Sequence, residues 1–401
     1  MGSRKNKRSR GGAGQTFDPM SVRWLEKHDG TISKIWNKIP VSGGHVIATF
    51  VTFLVGISVS GDWLGIFVNV GKQFGYIDRE KTFILHDSPR KWSQLTLEDL
   101  YLQDVGKFVL ISCAVSYSVY YGMGGFLHWY YYVRQRDRAE EWKCQPKKWI
   151  TPELERHEII LGSMTLFVNS TIGGVLACYV ANGGYSCIYY NISDYGWIWF
   201  FLQIPVVYIY MDYTTYWIHR IYHWPFLYKH FHKLHHKYKQ PTAFSVTAIH
   251  PVESTNVQLL VITPVFLFPV HWGPFYAIVA YVYYHGIIDH SGIAFKAQWW
   301  QPWQPDAIFH DNHHQYFHVN FGFNMEIWDR IHGTYRKKDR VYTEDIFYGQ
   351  GKSLSEISKS ELEADMEERK SENPLAYRNN KNENQLTKNE IQKLKKNKSR
   401  S

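Results

Sequence analysis

Apolar and polar residues follow one another in long blocks along this chain of 401 residues. Residues 45–70 are mostly apolar, interrupted chiefly by Gly61 and Asp62. A helix of that length crosses a bilayer core of about 30 Å. Residues 71–104 are polar and hold the charged run Asp78, Arg79, Glu80 and Lys81. A second apolar block, 105–133, ends on Trp129, Tyr130, Tyr131 and Tyr132. Such aromatics favour a membrane–water boundary. A third block covers 158–181 and a fourth 197–217. Residues 257–284 are apolar too, but Pro264, Pro269, His271 and Pro274 interrupt them, which predicts a re-entrant hairpin or two short helices. After about residue 348 the apolar content collapses into Lys, Glu, Asn and Ser, which predicts a disordered tail. The expectation is an all-α membrane protein with about four spans and a cytosolic helical cap.

Charge gives these blocks a direction. The formal net charge is +9, concentrated at the two ends and in the loop carrying Arg134, Arg136, Arg138, Lys143, Lys147 and Lys148. The positive-inside rule puts the ends and the 134–156 loop in the cytosol, and 71–104 and 182–196 in the lumen. The sequon Asn191-Ile192-Ser193 falls in the second lumenal loop. The basic ends read as membrane flanks beside anionic lipid rather than as nucleic-acid arms. No cleavable signal is predicted, since the first apolar block begins only near His45. Cys113, Cys144, Cys178 and Cys187 lack C-x-x-C spacing and predict neither a zinc–thiolate site nor a disulfide framework. Four parts result: a basic segment (1–40), three spans (41–195), a catalytic domain (196–348) and a charged tail (349–401).

The candidate chemistry is in histidine. His232, His235 and His236 form one H-x-x-H-H triplet, and His310, His313 and His314 form another. Histidine supplies 20 of 401 residues, so chance predicts about 0.05 such triplets. On a helix, positions i, i+3 and i+4 share a face, so each triplet is expected to aim three imidazoles at one point. His219 and His223 add an i,i+4 pair. One ion rarely takes more than a few protein nitrogens, so eight clustered histidines suggest two metal ions. A lone boundary histidine is usually a satisfied interfacial residue. Positions 219–332, however, hold 15 of the 20 histidines.

Several blocks in residues 208–338 resemble the fatty acid hydroxylase/sterol desaturase superfamily of membrane di-iron oxygenases. They are Tyr-Trp-Ile-His-Arg (216–220), His-Lys-Leu-His-His (232–236), Ala-Ile-His-Pro (248–251), Asp-His-Ser-Gly (289–292), His-Asp-Asn-His-His (310–314) and Trp-Asp-Arg-Ile-His-Gly-Thr (328–334). Residues 212–254 look most like C-5 sterol desaturases; 289–292 look more like C-4 methylsterol oxidases. The resemblance implies two iron ions, O2 as co-substrate, and oxidation of a sterol or related lipid at an unactivated C–H bond. The product is an alkene or an alcohol. The implied ligands are His219, His223, His232, His235, His236, His290, His310, His313 and His314, with His285 a weaker candidate. His250 is as apt to support a ligand as to be one. His230, His318 and His332 read as supporting or structural, and His271 as a lipid or headgroup contact. Asp212, Asp289 and Asp311 are candidate orienters of ring N–H groups. Zinc is an expected substitute in a purified sample. Electrons are implied to come from cytochrome b5 and its NADH-dependent reductase, at the endoplasmic reticulum membrane. The rivals are a fatty acid or sphingolipid hydroxylase, a zinc transport protein, and a catalytically dead lipid-binding relative.

Overall fold

The computed structural model describes residues 30–60, 95–146, 148–316, 319–332, 334–335 and 360. The end of the first predicted span, the polar 71–94 segment, the basic head and nearly all of the tail lie outside them.

Eight helices organise the described residues: α1 Val41–Ser60, α2 Val105–Leu127, α3 Pro152–Ala181, α4 Gly196–Tyr222, α5 Pro251–Ile262, α6 Trp272–His290, α7 Ile308–Tyr316 and α8 Ile327–His332. A π-helical turn, His128–Arg134, extends α2. The start of α3 is written in the sequence: Thr151 Oγ1 accepts from the Leu154 N–H, Pro152 opens the first turn, and Glu153 and Glu155 face the positive end of the helix.

Two helices, Val105–Arg134 and Pro152–Ala181, are long and apolar enough to cross a membrane. Their apolar side chains point outward: Leu110, Ile111, Val115, Phe126, Met164 and Phe167 are all exposed. A patch that large on a water-soluble surface would be costly, whereas lipid accepts it. The two helices touch closely, since a Cβ on Gly174 would stand 2.7 Å from Val109 Cα. Helix α1 packs Ala48 into a cluster with Ile218, Tyr222, Val252 and Leu260 of α4 and α5.

The 257–284 region folds back on itself, as its prolines predict. Helix α5 ends at Ile262, a short helix spans Pro264–Leu267, and α6 returns from Trp272. The turn carries β2 (Val270–His271), which pairs in parallel with β1 (Ile188–Tyr189) in the loop before α4. Trp199 Nε1 donates to Pro269 O at 2.9 Å, and Gln203 Oε1 accepts from the His271 N–H at 2.6 Å. The turn thus sits at the same end of the bundle as the 182–196 loop. His271 corrects the sequence reading. It is buried rather than at a lipid contact, with Nδ1 accepting from the Gly273 N–H and Nε2 3.1 Å from Tyr190 O. The irregular turn needs partners for its backbone groups, and this ring supplies them.

At the opposite end, residues 142–145 clamp the chain beyond α6. Trp142 O accepts from the Ala294 N–H at 2.7 Å, and the Cys144 N–H donates to Gly292 O at 2.9 Å. Two cations of the basic loop are less available than the sequence suggests. Arg138 is paired with Glu141. Lys143 is buried near the Tyr132 and Trp149 rings, and that burial pushes its ammonium down to about 8, against the pull of Asp311.

Candidate metal centre

Helix α4 runs straight into the histidine layer. Its last twelve residues, 211–222, are buried except Tyr213, and they deliver His219 and His223 one turn apart. The first triplet lies on a 3-10 turn, His232–Lys237, reached through the short helix Pro225–His230. The second lies on α7. His290 is the last residue of α6.

These elements bring nine buried histidines into two groups. The first holds His219, His223, His232, His236 and His313; the second holds His235, His290, His310 and His314. Within each group the facing nitrogens all lie within 4.8 Å of one another. His236 Nε2 lies 3.0 Å from His232 Nε2 and 3.2 Å from His223 Nε2, and His310 Nε2 lies 2.9 Å from His290 Nε2. Two nitrogens held at about 2.1 Å from one ion, at right angles, stand about 3.0 Å apart. The groups adjoin: the rings of His236 and His314 have centroids 5.3 Å apart. The Phe323 ring lies 5.0 Å from both His219 and His310, one ring of each group.

The triplets do not each aim at one point, as expected from their spacing. Each is divided. The i and i+4 members share a group (His232 with His236, His310 with His314), and the i+3 member crosses to the other. His219 and His223 obey the same rule. At 100° per residue, i and i+4 diverge by about 40° on an α-helix and i+3 and i+4 by about 100°, so α7 can serve two ions at once.

His285 is the second correction. It joins neither group, and its Nε2 lies 3.2 Å from Gln301 Nε2. Five residues turn an α-helix through about 500°, which puts it about 140° from His290. The i−4 position is Gly286, whose carbonyl instead accepts from His290 Nδ1 at 2.7 Å.

Residues 204–334 match the family model described as fatty acid hydroxylase. Over 182 residues the chain is 32% identical to lathosterol oxidase of Rattus norvegicus, covering 43% of this chain and 61% of that protein. Over 178 residues it is 32% identical to a Delta(7)-sterol 5(6)-desaturase of Gibberella zeae, covering 44% and 50%. Over 165 residues it is 34% identical to a Delta(7)-sterol 5(6)-desaturase of Leptosphaeria maculans, covering 41% and 46%. The chain spans about half the length of the curated relatives it matches. No solved structure matches it.

Four of the nine rings bond a backbone carbonyl, His290 as above. His219 Nδ1 donates to Phe321 O at 2.8 Å, His313 Nδ1 to Val319 O at 2.6 Å, and His235 Nδ1 to Ala248 O at 3.4 Å. A carbonyl can only accept, so each of these rings carries its proton on Nδ1 and presents a bare Nε2. His232 Nδ1 faces a carboxylate, Glu253 Oε1, at 2.6 Å. Glu253 was missed by the sequence reading; the signal was an acid in the first turn after His250-Pro251. The three expected aspartates differ in their partners. Asp212 accepts from Asn324 and Trp328, and Asp311 from Gln145. Asp289 Oδ2 is buried without a hydrogen-bond partner.

His250 caps α5, accepting from the Val252 N–H, and His230 Nδ1 bonds Phe226 O. His332 stacks on Tyr216, and His318 lies outside the described residues.

The donor set fits cations. His313 Nε2 and both nitrogens of His314 are buried with no protein partner, which is costly unless something else binds them. Burial first, and neighbouring rings second, push His235, His236, His310, His313 and His314 well below the usual imidazole range. They are therefore neutral near pH 7, the form that ligates a metal.

Proposed function

We propose that this chain is an O2-dependent di-iron oxidoreductase that introduces a double bond into a sterol or related lipid. The observation that carries the reading is the pair of adjoining buried histidine groups, inside a domain whose matched relatives are named for sterol desaturation. The irons, when bound, supply O2 activation with electrons brought from outside. The chain's own residues do the rest. Nine imidazoles hold two cations without thiolate, so the ligands resist oxidation. Backbone carbonyls hold the Nδ1 protons of His219, His235, His290 and His313 outward, and Glu253 holds that of His232, which leaves their Nε2 lone pairs inward. The Phe323 ring stands beside both groups.

Residues 41–195 serve as the membrane part and 196–348 as the catalytic part, with the histidines on the cytosolic side of the endoplasmic reticulum. The meeting of the hairpin turn with the 182–196 loop supports this arrangement, because both then lie at the lumenal end. A second reading, hydroxylation of a fatty acid or sphingolipid, is favoured only by the family's own description.

The test is lipid mass spectrometry of cells with and without the gene, paired with metal analysis of active enzyme. Expected are loss of a sterol two mass units lighter than its accumulating precursor, and two irons per chain. Full turnover with one metal or none overturns the di-iron reading. An unchanged sterol profile with an altered hydroxylated fatty acid overturns the sterol reading.

A further inference from the structure

We propose that Glu253 is a positioning residue that makes the five-histidine group the tighter of two unequal metal sites; this rests on the two-metal reading above. Glu253 lies in the first turn of α5, behind the His250 cap and Pro251, and is 4% exposed. Its Oε1 is 2.6 Å from His232 Nδ1, while its Oε2 is buried with no hydrogen-bond partner. A buried carboxylate with one oxygen unsatisfied is unfavourable unless positive charge is close. The α5 N-terminus supplies part of that charge. The remainder fits a cation on the far side of the His232 ring, where Nε2 lies 3.0 Å from His236 Nε2.

The ring transmits the charge. An ionised carboxylate only accepts, so Nδ1 donates and Nε2 keeps its lone pair for the ion. A carboxylate behind an imidazole makes it a stronger donor than a neutral carbonyl does. His219 and His313 in the same group, and His235 and His290 in the other, rest on neutral carbonyls. One site therefore combines five nitrogens with an adjacent negative charge. The other offers four nitrogens.

The experiment uses the full chain in detergent, stripped of metal by a chelator and titrated anaerobically with Fe2+, with bound iron measured after equilibrium dialysis. Wild type takes two irons in two steps. His314→Ala leaves one binding step, at the five-histidine group. Adding Glu253→Gln weakens that step about 10–100-fold, and Glu253→Asp, which keeps the charge, recovers part of the loss. The melting temperature of the metal-free chain stays the same. Unchanged affinity in the double variant overturns the proposal. So does a Glu253→Gln chain that loses both irons equally and melts lower without metal, which would mark a merely structural residue. Fewer than two irons on wild type would remove the two-metal reading, and this inference with it.

Discussion

The two halves of α4 are built to opposite rules. In the first half Trp197, Ile198, Phe201 and Leu202 are exposed, so the apolar side chains face outward. In the second half Asp212, Thr214, Thr215, His219 and Arg220 are buried, so the polar ones face inward. Water-soluble helices show the reverse of both. One continuous helix thus reads as lipid-facing at one end and as the wall of a polar centre at the other.

The sharpest way to break the polar half is to remove one nitrogen from each group. His313→Ala takes a ring from the five-histidine group and His235→Ala from the four-histidine group. Each is expected to bring turnover to background and to lower bound iron by about one per chain, with the protein still inserted. His285→Ala is the contrast, since that ring joins neither group. It should keep both irons, and iron loss there would reinstate it as a ligand. Product formation and metal analysis on the same preparations read all three.

A milder break acts through the backbone that aims the rings. Asp329 accepts from the N–H groups of Phe321 and Gly322 at 2.8 and 2.7 Å, and so fixes the loop whose carbonyl holds His219. A Cβ at Gly322 would stand 2.5 Å from Met325 O and 2.9 Å from Asp329 Oδ2. Gly322→Ala should shift that loop and cost about 10–100-fold in iron affinity or activity, as loss of a ligand's support does elsewhere. Wild-type affinity in this variant would mean the loop has room that the geometry denies.

How much of this was legible in the sequence follows from what each signal depends on. Block hydropathy found α2, α3 and the hairpin because membrane burial depends on composition over many residues. Histidine spacing picked out eight of the nine rings that the fold brings together, and the resemblance added His290. The division of each triplet was also within reach, since the i,i+4 angle alone groups His232 with His236 and His310 with His314. His285 was already the weaker candidate, because it precedes His290 by five residues rather than four, and the fold joins it to neither group. Backbone carbonyls such as Val319 O and Phe321 O carry no residue signature, so their role shows only once the chain is folded. Asp212 and Asp329 act through the loop rather than on a ring, a step that spacing cannot express.

The lipid half of α4 breaks more gently. Phe201 is 60% exposed, and Phe201→Lys is a near-neutral change on a water-exposed surface. Facing hydrocarbon, it should cost about 1–3 kcal/mol, depending on depth. Lower yield of membrane-integrated protein in sealed microsomes, with no change in iron per folded chain, is the expected result. A neutral outcome would put this turn of α4 in water and shift the membrane boundary toward the histidines.

The smallest expected effect concerns the face that the proposed function makes cytosolic and gives to an electron donor. Lys233 and Lys237 are exposed beside the first triplet, and Arg134 and Arg136 are exposed at the end of α2. The two regions adjoin: Tyr132 OH donates to Pro241 O at 3.2 Å, and Gln145 Nε2 donates to Lys239 O at 2.8 Å. Arg138 adds less than the sequence implied, because Glu141 already pairs with it. Under the proposed reading, the remaining cations would meet a small acidic carrier such as cytochrome b5. Rim charges act mainly on association and contribute about 0.2–1 kcal/mol each. Lys233→Gln with Lys237→Gln should therefore raise the carrier concentration needed for half-maximal turnover by about 2–10-fold at low salt, with iron content unchanged. The gap between variant and wild type should close as salt rises, because such charges are screened over about 8–10 Å near physiological ionic strength. A gap that persists at high salt would assign these lysines to holding the triplet rather than to meeting a donor. Full NADH-driven turnover by the purified chain with no added carrier would remove the donor altogether.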